Sequence, residues 1–184
     1  MKRSASALYE AGNTIEQSVG LYTAAQTIVQ DADVVGTALK TLSMRLRGTK
    51  TDLEAAGLDV DGLASSTSAL RGEILALTNV DIMKSATEFK STYEMLQDLS
   101  KVWDKLEETS RARVLELVAG KRMASTVAAI INNFDIAEEV TGLNYSGSAL
   151  KENEKYLESI NGRIDVLKAS YEELSQTVLD SGLV

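Results

Sequence analysis

The hydrophobic positions of this chain recur at helical intervals, and they concentrate between Arg111 and Phe134, RARVLELVAGKRMASTVAAIINNF. Val114, Leu117 and Val118, with Leu115 beside them, form one apolar face. After Gly120, the positions Met123, Val127, Ile130, Ile131 and Phe134 repeat the i, i+4, i+7, i+8, i+11 spacing of a second helix. Ala124, Ala128 and Ala129 fill much of its other side, as in a buried helix. Gly120 suits the left-handed residue that ends a helix. The pattern predicts an all-α multi-helix bundle, with this helix–glycine–helix passage as its central buried hairpin.

Upstream, Ser4 to Gln30 reads as helix, with Leu8, Ile15, Val19, Tyr22 and Val29 as a broken stripe weakened at Gly12, Asn13 and Gly20. Asp31 and Asp33 are suited to cap a second helix carrying Val35, Leu39, Leu42 and Leu46. Lys40, Arg45 and Arg47 lie toward its C-terminal end, where cations complement the helix dipole, and Gly48 closes it. Thr49 to Ala56 predicts a short helix stopped by Gly57. The LDVDG segment that follows superficially resembles a calcium loop. Asp59, Asp61 and Gly62 do not meet the spacing of one, so it reads as a solvated turn.

Leu70, Ile74 and Leu77 restore helical spacing between Leu63 and Thr78. The pattern lapses from Thr78 to Lys84, which divides the chain into an N-terminal segment, 1–84, and a helical core, 85–184. Ser85 and Glu88 have the S-x-x-E spacing of a capping box, ahead of Phe89, Tyr93, Leu96, Leu99, Trp103 and Leu106 on one face. Trp103, the sole tryptophan, reads as a core anchor; an anchor at a partner interface is the other reading. The last stretch carries Leu157, Ile160, Ile164, Leu167, Tyr171, Leu174 and Val178 in alternating steps of three and four, a heptad seam. It predicts a helix of about 50 Å from near Ser148 onward. Such a seam packs on the chain's own hairpin, the reading favoured by its short length, or against a second copy in a homo-oligomer.

Composition narrows the chemistry. The 184 residues contain no proline, cysteine or histidine. Long helices suit the first absence. The other two exclude disulfides, thiolate chemistry and every histidine-based triad, so an enzyme is not expected. A net charge of −8 argues against nucleic-acid binding, and no apolar run reaches the ~20 residues of a membrane span. Gly120-Lys121-Arg122 is not a phosphate loop, because Leu115 and Arg122 stand where that motif needs Gly and Ser or Thr. No catalytic, cofactor-binding or metal-ligating residue is identified.

In order, TALKTLSMRLRG (37–48), DLEAAGLDVDGLASSTSALRGEILALTNVDIM and the stretch from Phe89 to Asp135 resemble phage tail tape measure proteins. The likeness is to those of siphophages and prophages of Gram-positive bacteria. LELVAGKRMASTVAAIINNFD and GSALKENEKYLESINGRIDVLKASYEELS resemble recurring blocks of that family. The resemblance implies a structural virion protein of the tail lumen, present in host cytoplasm during assembly, that scaffolds the tube and sets tail length. It implies tube, tail-end or baseplate proteins as partners. It also implies that this chain is an internal fragment or a truncated prophage remnant, since the family's members are far longer. A ruler is a continuous rod, whereas this chain has repeated glycine stops. The expectation is therefore a compact module docking on tail proteins, with a radius of gyration near ~16 Å. The rival reading is a helical adaptor unrelated to phage.

Overall fold

The computed structural model describes residues 4–47 and 50–143. These form eight helices: α1 Ala5–Glu10, α2 Ile15–Val29, α3 Ala32–Arg47, α4 Lys50–Ala55, α5 Thr67–Thr78, α6 Thr92–Trp103, α7 Glu108–Asn132 and α8 Phe134–Leu143. Among the described residues there is no strand, only an isolated antiparallel bridge between Met83 and Phe89. The architecture is all-α, as the periodicity predicts. The heptad positions Leu157 to Val178 and the stops at Gly48 and Gly147 lie outside the described residues.

Local chemistry explains most of the boundaries. Ser4 to Gln30 is two helices, not the one its stripe suggests. Gly12 adopts φ +73° and the Asn13 N–H reaches back to the Leu8 carbonyl, which closes α1. Thr14 then opens α2 through a reciprocal capping box with Gln17. Asp31 caps α3 by accepting from the N–H groups of Asp33 and Val34. The capping box expected at Ser85 and Glu88 is corrected. Those residues lie in the loop joining the bridged Met83 and Phe89, where Ser85 Oγ accepts from the Thr87 and Glu88 N–H groups. The functioning box is six residues later, Ser91 with Glu94, and α6 begins at Thr92.

One hydrophobic cluster joins these helices. It runs from Leu8 through Leu21, Leu39, Leu42, Leu96, Leu117 and Ile130 to Ala137, and Val80 and Ile82 belong to it. It therefore draws on residues from both sides of position 84. α2 and α3 pack on α7, and α8 lies along α2. Gly20 lets that last pair close up, since a Cβ there would fall 2.7 Å from the Ala137 carbonyl oxygen. Tyr93 and Phe134 pack as tilted rings 4.9 Å apart. The buried Asn13 side chain joins the α1–α2 elbow to α6, donating to the Leu8 carbonyl and accepting from the Tyr93 N–H.

The helix–glycine–helix passage is present within α7 as two limbs meeting at a kink. Only Gly120 leaves helical geometry, with φ 67° and ψ 168°. A positive φ is what glycine tolerates and other residues resist.

Candidate functional site

The densest polar arrangement among the described residues is centred on Arg45. Read along α3, Arg45 falls between Leu42 and Leu46 on the buried face, and it is 1% exposed. A place near the helix end suits a cation that complements the dipole, but this one is also enclosed by protein. Its Nε donates to the Leu117 carbonyl at 3.0 Å and its Nη1 to the Asp59 carbonyl at 2.6 Å. Its Nη2 donates to the carbonyls of Asp61 at 2.8 Å and Glu116 at 2.9 Å.

This geometry joins three distant segments. Glu116 and Leu117 belong to the last turn of the first α7 limb, the negative end of that limb's dipole. The LDVDG turn, expected to be merely solvated, supplies the other two acceptors from its backbone. Its shape is set by Asp59 Oδ1 accepting from the Asp61 N–H and by φ +68° at Gly62. Burial pulls the guanidinium pKa below its ordinary value, against the opposing fields of Asp59, Glu116 and Asp61. The nitrogens are directed at protein carbonyls, so the chemistry of the cluster is that of a tie between elements. A pocket of about 250 Å³ adjoins it, lined by Lys50, Ser65, Ser66 and Thr67 among others. Ser66 Oγ is occupied as the N-cap of α5, accepting from the Ala69 N–H.

Arg47 is half-buried on the neighbouring turn. It donates to the Lys90 carbonyl and lies 5.5 Å from the centre of the Phe89 ring. Other charges form surface pairs. Arg71 grips Asp81 through two bonds of 2.8 and 2.6 Å, and with the Met83 N–H this holds the Asp81 carboxyl down at about 2. Asp98 is pushed up by burial, yet bonds from Lys90 and Lys101 bring it below the usual range. Arg113 bridges Glu73 and Glu116. Across the bend of α7 runs an open groove of about 620 Å³, with Ala112, Leu115, Lys121 and Ala124 in its lining.

Trp103 lies at the C-terminal end of α6, 3% exposed and within the hydrophobic cluster. The seam residues Leu157, Ile160, Ile164, Leu167, Tyr171, Leu174 and Val178 lie outside the described residues. Among the described residues, no group of three or more acidic side chains is placed to hold a metal ion. No described helix is long and apolar enough to cross a membrane. No family model matches the chain, and no solved structure matches it.

Proposed function

We propose that this chain is a structural module of a phage tail, a region of a tape measure protein that acts in tail assembly. The observation that carries the reading is the ordered set of sequence blocks spanning residues 37–48, 52–83 and 89–135, together with GSALKENEKYLESINGRIDVLKASYEELS near the C-terminus. A chain without histidine or cysteine suits a scaffold better than acid–base or thiol catalysis.

The part we assign it is a docking module and not the ruler. Helix length scales with residue number only where a helix runs on. The described helices are stopped repeatedly, at Gly12, Gln30, Gly57 and Asn79, each with positive φ. The longest, α7, has 25 residues and is bent at Gly120. That architecture supports a packed domain carried within a longer assembly.

The test begins with particles purified from induced cells that carry the gene. Mass spectrometry should find peptides of this chain in purified tails, and in-frame removal of its coding segment should yield absent or altered tails by electron microscopy. Tails of normal number and length without it, or a chain confined to the soluble fraction, would overturn the proposal. Solution scattering then separates module from ruler. A compact particle near ~16 Å supports docking, and a rod-like profile returns the ruler.

A further inference from the structure

We propose that α7 is a two-state element, held bent by the Arg45 guanidinium and able to become one continuous helix when that contact is withdrawn. The two states share acceptors. In an unbroken α-helix the Glu116 and Leu117 carbonyls receive the N–H groups of residues 120 and 121. Here those same carbonyls receive Arg45 Nη2 and Nε. Straightening therefore leaves neither oxygen without a donor.

Within the α7 backbone only one residue has to change conformation. Gly120 is the sole position in α7 outside helical φ/ψ, and no proline interrupts the chain. Glycine is the residue that crosses between positive and negative φ without a side-chain penalty. Arg45 lies directly against the bend, since a Cβ on Gly120 would fall 3.2 Å from its Nη1. The bent state is the major one, because Val114, Leu117, Val127 and Ile130 on the two limbs are all buried.

The withdrawal has a structural route. Two of the four acceptors, the Asp59 and Asp61 carbonyls, belong to the turn between α4 and α5. Asp61 itself is exposed. A partner that pulls this turn outward removes half of the bonds that seat Arg45. A buried guanidinium with fewer acceptors is costly, and its departure frees the bend.

The chain has no cysteine, so T109C and N132C place two unique spin labels on exposed positions at the ends of α7. A continuous helix separates those positions by about 35 Å along its axis. The unaltered background should give a distance below that. G120A disfavours the positive φ and crowds Arg45, so it should shift the distribution toward the longer distance with helix content kept. R45M leaves Gly120 free and should add a second, longer population. A G120A chain that unfolds, or keeps the short distance, shows an obligatory bend and overturns the proposal. An R45M chain that unfolds or shows no longer population removes Arg45 from it, and a long distance in the unaltered background removes the bend.

Discussion

Gly20 and Gly72 are both interior helical glycines, and the same substitution at each should have opposite effects. Propensity alone favours alanine by about 1 kcal/mol at an interior helix position. At Gly72 in α5 an added Cβ meets nothing within 4 Å, so G72A should stabilise by about 0.5–1 kcal/mol. At Gly20 the same methyl falls 2.7 Å from both the Ala137 carbonyl oxygen and Thr141 Oγ1. Carbon–oxygen contacts between packed elements run at roughly 3.3–3.6 Å, so α8 must retreat from α2 by about 0.6 Å or more. A gap of that size forfeits about a quarter or more of each dispersion contact along the interface. Buried Val19, Ala24, Ala137 and Val140 are among the residues affected. Two such contacts on one methyl, one of them with backbone that cannot rotate away, place the cost in the upper part of the about 1–3 kcal/mol range for overpacking, so after the propensity gain G20A should be destabilised by about 1–2 kcal/mol. Urea unfolding of the full chain, followed by circular dichroism, reads both values, and each kcal/mol should move the thermal midpoint by about 2–4 °C. If G20A is as stable as the parent, or moves in the same direction as G72A, the α2–α8 contact is looser than the structure has it.

Three further outcomes are expected. S91A removes the oxygen that caps α6 and should cost about 1 kcal/mol, whereas S85A, in an exposed loop, should stay within about 0.5 kcal/mol; equal effects in urea unfolding would contradict the placement of the box. The Asp81 carboxyl titrates at about 2 in the fold against 3.8 for a free one, so its contribution is complete above pH 3.8 and is lost as pH falls toward 2. The pair is largely solvent-screened, so the effect is small, and it should appear as a shallower acid loss of stability for D81N than for the parent between those values. Trp103 should be weakly quenched by acrylamide in the native chain and strongly in urea, and W103A should cost about 3–5 kcal/mol; strong native quenching would place the ring at the surface.

The stripes of α3, α5 and α6 were legible because their apolar residues hold helical spacing without interruption. Val35, Leu39, Leu42 and Leu46 are all buried, and so are Leu70 and Ile74. The start of α6 was not, because Ser85–Glu88 and Ser91–Glu94 carry the same S-x-x-E spacing. What decides between them is the Met83–Phe89 bridge, a pairing with no signature in the pattern. Gly12 was visible as a weak point, but the closing bond from Asn13 to Leu8 depends on geometry. Arg45 could have been found. A charge three residues after Leu42 and one before Leu46 sits on the apolar face, and a buried cation there demands partners. Which partners was beyond local pattern, since two of them lie more than 70 residues away.

The Arg45 tie also bears on how the chain comes into being. Its acceptors lie 14 and 16 residues away in the LDVDG turn, and 71 and 72 residues away in α7. Synthesis proceeds at about 5–20 residues per second, so several seconds separate the emergence of Arg45 from that of Leu117. Throughout that interval α3 carries a cation on the face it must later bury, and water is the cation's best solvent. Until the first limb of α7 arrives Arg45 can reach only the two turn carbonyls, so closing the N-terminal helices over it costs more than closing them with α7 in place. A single arginine thus favours late closure of the core, with α7 as a late participant.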